Sequence, residues 1–185
     1  MKTLRLGLFI VVALLQLSVP ASAIWNRHRT LTQGRIWKFR TAPVDPVDAF
    51  RGRYIALGFV ADEVPRSEPL ETTGKIYAVL KEGPDGFAEV ETLSSTPVLG
   101  DNVIKVGTGY WDRNNNIQNI VFPFNRYWVT EKIAPEAERA YVANSRRQRQ
   151  NAYLTVRVRD GDTAVEELYI DNQRLRDYLR AHAPR

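Results

Sequence analysis

Hydrophobic and polar residues alternate along most of this chain, in short runs separated by Gly, Pro, Asn and Asp. Such runs are typical of half-buried antiparallel strands, because successive side chains of a strand point to opposite faces of the sheet. The turn Gly83-Pro84-Asp85-Gly86 is a strong hairpin signal between two of the runs. The pattern predicts strands over residues 34–40, 54–61, 75–82, 87–93, 102–111, 118–122, 126–130, 152–159 and 164–171.

A helical period replaces this alternation after residue 131. Pro135 suits the first turn of a helix, and Glu136 and Glu138 suit the positive end of the helix dipole. We therefore predict a helix over about 134–150, and a short basic helix or tail over 174–185. The overall expectation is a mainly β fold, an antiparallel β-barrel or sandwich with one packed α-helix.

The first 25 residues follow neither pattern. Lys2 and Arg5 precede a long apolar run, and an A-x-A sequence ends at Ala23. This layout is typical of a secretory signal peptide cleaved after Ala23. Residues 6–25 also have the length of a helix that spans a bilayer. Under both interpretations residues 26–185 are exported, with 26–173 as the β domain. The domain is then either secreted or held at the membrane as an extracytoplasmic (periplasmic) domain.

Composition narrows the possible chemistry. The chain has no cysteine, which excludes disulfides, thiol catalysis and Cys-ligated metals. Its two histidines, His28 and His182, lie near opposite ends, so the sequence predicts neither a His-based zinc site nor a Ser–His–Asp site. The net charge of +5 is small and does not indicate nucleic-acid binding, although it suits an anionic membrane surface. We predict no cofactor and no metal site.

One segment mimics a calcium loop. Asp112, Asn114 and Asn116 have the spacing of its first ligands, but Ile117 stands where the loop needs glycine. We therefore interpret residues 112–116 as a turn.

The most specific motif lies at residues 43–57, where a Pro- and Asp-rich run leads through Arg51-Gly52-Arg53-Tyr54 to Leu57. It resembles the signature of the GDYXXLXY family, in which Pro-Val-Asp-Pro precedes Arg-Gly-Asp-Tyr-x-x-Leu-x-Tyr. Turn chemistry explains each residue of the motif, so we interpret it as structural. Arg53 replaces the family's Asp, and Gly58-Phe59 replaces its last two residues. The predicted structural signature is Pro43, Asp45, Pro46, Asp48, Arg51, Gly52, Tyr54 and Leu57.

The resemblance carries no established activity. It implies an uncleaved N-terminal membrane helix that leads into an extracytoplasmic domain. It also implies an integral membrane protein as partner, because family members are often thought to be encoded beside multi-pass membrane proteins. Similarity extends more weakly to residues 126–131 and to the closing hairpin at 153–171.

Two carboxylates support a rival hypothesis. The family also has Glu after an aromatic strand and a second Glu on the following helix, which correspond to Glu131 and Glu138. Held close together in an open cleft, such a pair can perform the acid–base chemistry of a hydrolase. The helix dipole and an ion pair of Glu131 with Arg126 or Arg139 explain the same residues without catalysis. We therefore favour a binding module over an enzyme.

Overall fold

The computed structural model describes residues 2–42, 54–66, 68, 70, 76–146 and 150–182. The fold is mainly antiparallel β with three α-helices, which confirms the predicted class. The strands are β1 (Arg35–Ala42), β2 (Tyr54–Ala56), β3 (Gly58–Phe59), β4 (Glu63–Pro65), β5 (Ile76–Glu82), β6 (Ala88–Ser94), β7 (Val103–Asp112), β8 (Ile117–Val121), β9 (Arg126–Trp128), β10 (Ala152–Arg159), β11 (Asp162–Ile170) and β12 (Gln173–Arg174). The helices are α1 (Lys2–Gln33), α2 (Ala134–Ser145) and α3 (Leu175–Ala181).

Helix α1 continues past the apolar run and ends against the sheet. The N–H of Gly34 donates to the carbonyl of Thr30 at 2.9 Å, which closes the last turn of the helix. Thr30 is buried, and α1 contacts β10 and β11. A Cβ on Gly34 would lie 2.5 Å from the Thr30 carbonyl oxygen and 3.0 Å from that of Val158. Only glycine therefore fits where the helix passes directly into β1.

Two five-stranded sheets and one two-stranded ribbon form a nearly closed, barrel-like wall. The first sheet has the order β12-β11-β10-β1-β3, and the second has the order β4-β8-β7-β5-β6. The ribbon pairs β2 with β9. The β10–β11 turn links the large sheets, since Lys105 donates its N–H to the carbonyl of Gly161 at 3.3 Å. The indole N–H of Trp37 adds a second link, to the carbonyl of Asp101 at 2.8 Å.

Four phenylalanines fill the interior where these sheets meet. Phe39 lies on β1, Phe59 on β3, and Phe122 and Phe124 follow β8. The ring of Phe39 is 5.8, 5.2 and 5.0 Å from the rings of Phe59, Phe122 and Phe124, respectively. All four side chains are buried. This phenylalanine cluster joins elements that are far apart in the sequence, so its packing contributes to holding the wall together.

Helix α2 covers one end of this wall. Pro135 lies in its first turn as predicted, and the buried face includes Ala137 and Tyr141. The Tyr141 hydroxyl donates to the carbonyl of Ala42 at the end of β1, at 3.1 Å. Its apolar face and this hydrogen bond attach the helix to the first sheet.

Three predicted boundaries are wrong. The strand expected over 54–61 divides at Leu57, because the Leu57 N–H donates to the Asn125 carbonyl at 2.9 Å and the two halves pair with different strands. The loop expected from residue 62 includes β4, which pairs with β8. Helix α2 ends at Ser145 rather than near residue 150.

The remaining predicted elements agree with the structure to within a few residues. The hairpin turn at 83–86 is present, with Gly86 at a φ of 77° and its N–H bonded to the Gly83 carbonyl at 3.0 Å. Residues 112–116 form the predicted turn, since the Asp112 carboxylate accepts the N–H groups of Asn114 and Asn115.

Candidate functional site

Only part of the predicted signature can be placed. Pro43, Asp45, Pro46, Asp48, Arg51 and Gly52 lie outside the described residues. Tyr54 pairs with Trp128 across the β2–β9 ribbon, with ring centroids 5.4 Å apart. Leu57 is buried and provides the N–H that ends the ribbon. The two placed residues of the signature, Tyr54 and Leu57, thus take part in strand pairing and in the bond that ends the ribbon.

The two candidate carboxylates are both exposed. Glu131 lies in the turn before α2, and Glu138 lies one turn into the helix rather than in its first turn. Within the part of the chain that the structure describes, Glu131 forms no ion pair with Arg126 or Arg139. The Arg126 guanidinium lies over the Tyr54 ring, 4.9 Å from its centroid, and Arg139 donates to the carbonyl of Pro135. Neither carboxylate lines either of the two clefts described below.

The larger cleft lies between the C-terminal part of α1 and strands β9 and β11, and we call it the α1–β9 cleft. Its volume is about 510 Å³. It is lined by Arg27, Pro123, Phe124, Asn125, Arg126, Tyr127, Trp128, Thr163, Val165 and Glu166. Helix α1 thus contributes a cation, β9 contributes a cation and two aromatic rings, and β11 contributes one carboxylate.

The carboxylate of this cleft is already paired. Glu166 accepts two hydrogen bonds from Arg157, from Nε at 3.2 Å and from Nη2 at 3.1 Å. No described residue forms an ion pair with Arg27 or Arg126. The charge left over in the α1–β9 cleft is therefore positive, which favours an anionic ligand.

A half-buried polar pair joins β9, which lines the cleft, to β11. The hydroxyl of Tyr127 donates to the Glu167 carboxylate, which also accepts the backbone N–H of Leu168 at 3.2 Å. Burial, and then the neighbouring Glu167, raise the pKa of the Tyr127 hydroxyl well above its ordinary value. Tyr127 therefore stays protonated, donating to Glu167, and fixes the β9 backbone against β11.

The smaller cleft lies between α2 and α3 and has a volume of about 360 Å³. The His182 ring stacks on Tyr178 with centroids 4.2 Å apart, and Nδ1 is 2.9 Å from the Tyr178 carbonyl oxygen. Glu136 and Arg139 complete its polar wall. The imidazole is held by the adjacent helical turn, so this arrangement positions a side chain and assembles no nucleophile–base pair.

No group of three His, Asp or Glu side chains with metal-binding geometry occurs among the described residues. The described residues instead bring two arginines and two aromatic rings together in the α1–β9 cleft, a combination that suits contact with an anion.

One half-buried carboxylate was not anticipated from the sequence. Asp62 lies in a 3₁₀ turn after β3, where the sequence predicts a loop, and its carboxylate accepts the Phe59 N–H at 3.4 Å. Burial, and to a lesser extent the charge of Glu63, raise the pKa of Asp62 from 3.8 to about 6. The folded protein therefore binds this proton more tightly than the unfolded chain between about pH 4 and 6.

This difference predicts a pH dependence of stability. Because the native state binds more protons in this interval, the contribution of Asp62 to the free energy of unfolding falls as pH rises from 4 to 6. We expect Asp62→Asn to gain stability relative to the wild type between pH 4 and pH 7. Urea unfolding of both proteins at the two pH values measures the change. A difference between variant and wild type that is the same at both values contradicts the prediction.

Comparison with known proteins gives one match. The family model described as GDYXXLXY protein matches residues 16–168 of the chain. No curated protein and no solved structure matches this chain. The matched range includes the C-terminal half of α1, the strands β1–β10 and most of β11.

Proposed function

The chain belongs to the GDYXXLXY family, and from this premise we propose that it is a membrane-anchored extracytoplasmic module that binds a neighbouring integral membrane protein. The observation that carries the proposal is the continuity of α1 with the β domain. A single helix contains the apolar run, continues to Gln33 and passes through Gly34 into β1 without a linker.

The length of α1 suits an anchor that also holds the domain close to the membrane. The stretch Leu6–Gln33 is long and apolar enough to cross a bilayer. At about 1.5 Å per residue it extends about 42 Å, whereas the hydrocarbon core is about 30 Å thick. Residues 6–25 fill that core, and residues 26–33 extend about 12 Å beyond it to the first sheet.

The surface of α1 requires an apolar environment. Its exposed large side chains are Leu6, Leu8, Phe9, Ile10, Val11, Val12, Leu14, Leu15, Leu17, Val19, Ile24 and Trp25. An apolar surface of this extent on a water-soluble protein is unstable toward association. Lipid covers such a surface, and proline, present here as Pro20, is more frequent in membrane-spanning helices than in the helices of soluble proteins.

A polar side chain in the middle of this stretch supports a protein partner. The side chain of Gln16 is exposed and makes no hydrogen bond with the described residues. An amide in hydrocarbon is stabilised by hydrogen bonds from a neighbouring helix, typically by about 1 kcal/mol. Gln16 is therefore the residue of α1 through which we expect the partner's membrane helix to associate.

Topology is the first test of the proposal. Alkaline phosphatase and green fluorescent protein are fused after Arg185, the first being active outside the cytoplasm and the second inside it. We expect phosphatase activity and no fluorescence. Fluorescence with inactive phosphatase overturns export, and with it the proposed function.

Association is tested with the full chain extracted from membranes in mild detergent. We expect one integral membrane protein to copurify, and Gln16→Leu to reduce its recovery severalfold. Gln16→Leu combined with Leu17→Gln keeps one amide but moves it to a neighbouring face of the helix, and should not restore recovery. Equal recovery with the wild type and Gln16→Leu contradicts the role of α1 in partner binding.

The rival enzyme hypothesis gives a separate prediction. Replacing both Glu131 and Glu138 with Gln is expected to change the free energy of unfolding by less than about 0.5 kcal/mol, because both side chains are exposed and unpaired among the described residues. Partner recovery should stay at the wild-type level. A hydrolytic activity of the purified protein that disappears in this variant, with the fold intact, would favour the enzyme.

A further inference from the structure

The α1–β9 cleft lies at the height of the membrane surface if α1 spans the bilayer as proposed above. Arg27 lines the cleft and follows the apolar segment by two residues, a rise of about 3 Å along the helix. Phosphate groups of phospholipids lie at this depth, just outside the hydrocarbon core. The cleft is therefore positioned to meet lipid headgroups without any movement of the domain.

The charges of the cleft suit an anion at that depth. Arg27 on α1 and Arg126 on β9 are both exposed and have no anionic partner among the described residues. Among the described residues that line the cleft, the one carboxylate is that of Glu166, and it is paired with Arg157. Arg126 packs its guanidinium over Tyr54, which leaves the edge donors of the planar group available for hydrogen bonds. Guanidinium groups bind phosphate oxygens through such donors.

Exposed aromatic side chains also lie at the proposed depth of the lipid headgroups. Trp128 lines the cleft with 67% of its surface exposed, and Trp25 at the end of the apolar run is 63% exposed. Tryptophan is enriched at membrane–water interfaces, where its ring contacts the glycerol region and its N–H remains hydrated. One of these exposed rings lines the cleft and the other precedes Arg27 by two residues on α1, and a single interfacial environment explains both.

We propose that the α1–β9 cleft binds the phosphate of an anionic phospholipid headgroup through Arg27 and Arg126, with Trp128 against the glycerol region. The volume of about 510 Å³ lies within the range of about 300–1,000 Å³ that is typical of small-molecule sites. The proposal rests on the proposed membrane anchoring. It adds a lipid class as ligand and gives the β2–β9 ribbon a function.

The test uses the full-length chain in a maltoside detergent, which carries no phosphate. Short-chain phosphatidylglycerol, short-chain phosphatidylcholine and inorganic phosphate are titrated separately, and tryptophan fluorescence reports binding. We expect phosphatidylglycerol to bind at least tenfold more tightly than phosphatidylcholine or inorganic phosphate. Equal affinity for phosphatidylglycerol and inorganic phosphate would indicate a site for free phosphate and overturn the lipid assignment.

Charge variants identify the site. Arg27→Gln combined with Arg126→Gln is expected to weaken phosphatidylglycerol binding at least tenfold, and Lys at both positions to restore part of it. Arg113→Gln combined with Arg180→Gln removes the same charge from residues outside the cleft and should bind as the wild type does. Both cleft arginines are exposed, so the thermal unfolding temperature should remain near that of the wild type.

Two results overturn the inference. One is equal loss of binding in the cleft and control variants, which indicates general electrostatic attraction. The other is a cleft variant that binds lipid as the wild type does but no longer copurifies with the membrane-protein partner. That result would assign the cleft to an acidic segment of the partner. Export is measured independently by the fusions after Arg185 and anchoring by the N-terminal residue of the chain, so failure of the lipid site leaves both results intact.

Discussion

Phe39→Ala is expected to destabilise the protein by about 3–5 kcal/mol, the largest effect of any single substitution considered. Phe39 is 0% exposed, and its ring contacts three other phenylalanines at 5.0–5.8 Å. The substitution removes apolar surface and leaves a cavity between rings that come from three separate segments of the chain. Because domains of this kind are stable by about 5–15 kcal/mol, the loss is a large part of the total.

The same strand provides the control. Ile36 lies three residues earlier on β1 and is 46% exposed. Ile36→Ala therefore loses little buried surface and should cost less than about 1 kcal/mol. Urea unfolding of both variants, followed by tryptophan fluorescence, makes the comparison. Similar losses in the two variants would contradict the role of the phenylalanine cluster.

The second large effect is expected at the junction between anchor and sheet. Gly34→Ala should cost about 2 kcal/mol, because its Cβ would lie 2.5 Å from the Thr30 carbonyl and 3.0 Å from that of Val158. Both neighbours are backbone atoms, so relief requires that α1 shift away from β10. The variant should also expose the end of α1 to protease, since the close contact between helix and sheet is lost.

A glycine on β7 provides the matched substitution. A Cβ on Gly107 would lie 3.5 Å from the nearest atom, the Cβ of Val121, which is ordinary contact. Gly107→Ala should therefore leave stability unchanged or slightly improved, because it reduces the freedom of the unfolded chain. Equal losses in the two variants would show that helix and sheet are not packed as described at Gly34.

Local patterns were sufficient to predict much of the fold. The hairpins β5–β6 and β10–β11 are formed by adjacent alternating runs whose turns contain glycine, so both strands and turn are encoded in one segment. Helix α2 begins where Pro135 and the change of period indicate. These elements are specified by residues that are close in the sequence, so one amino-acid sequence is enough to predict them.

Features formed by distant residues could not be predicted in the same way. The strand at 54–61 divides because Leu57 bonds to Asn125, and no local signal specifies that partner. From the sequence alone Asp62 is a loop carboxylate, and only the structure shows its partial burial. The carboxylates nominated by resemblance, Glu131 and Glu138, are exposed and line neither cleft.

The α1–β9 cleft is the clearest example of a feature that the sequence alone could not predict. Arg27, Arg126 and Glu166 are separated by about a hundred and by forty positions, and each one alone is an ordinary surface charge. The cleft exists because α1 packs on β10 and β11 while β9 pairs with β2 beside it. A signal that could have drawn attention to it is the position of Arg27 directly after the apolar segment.

The central claim is that α1 is retained as the anchor of an exported domain. Its most direct test is the N-terminal residue of the full-length chain, determined by mass spectrometry after separation of membrane and soluble fractions. The account predicts an unprocessed chain that begins at Met1 and is recovered with the membranes. A chain that begins at Ile24 and is recovered in the soluble fraction would contradict it.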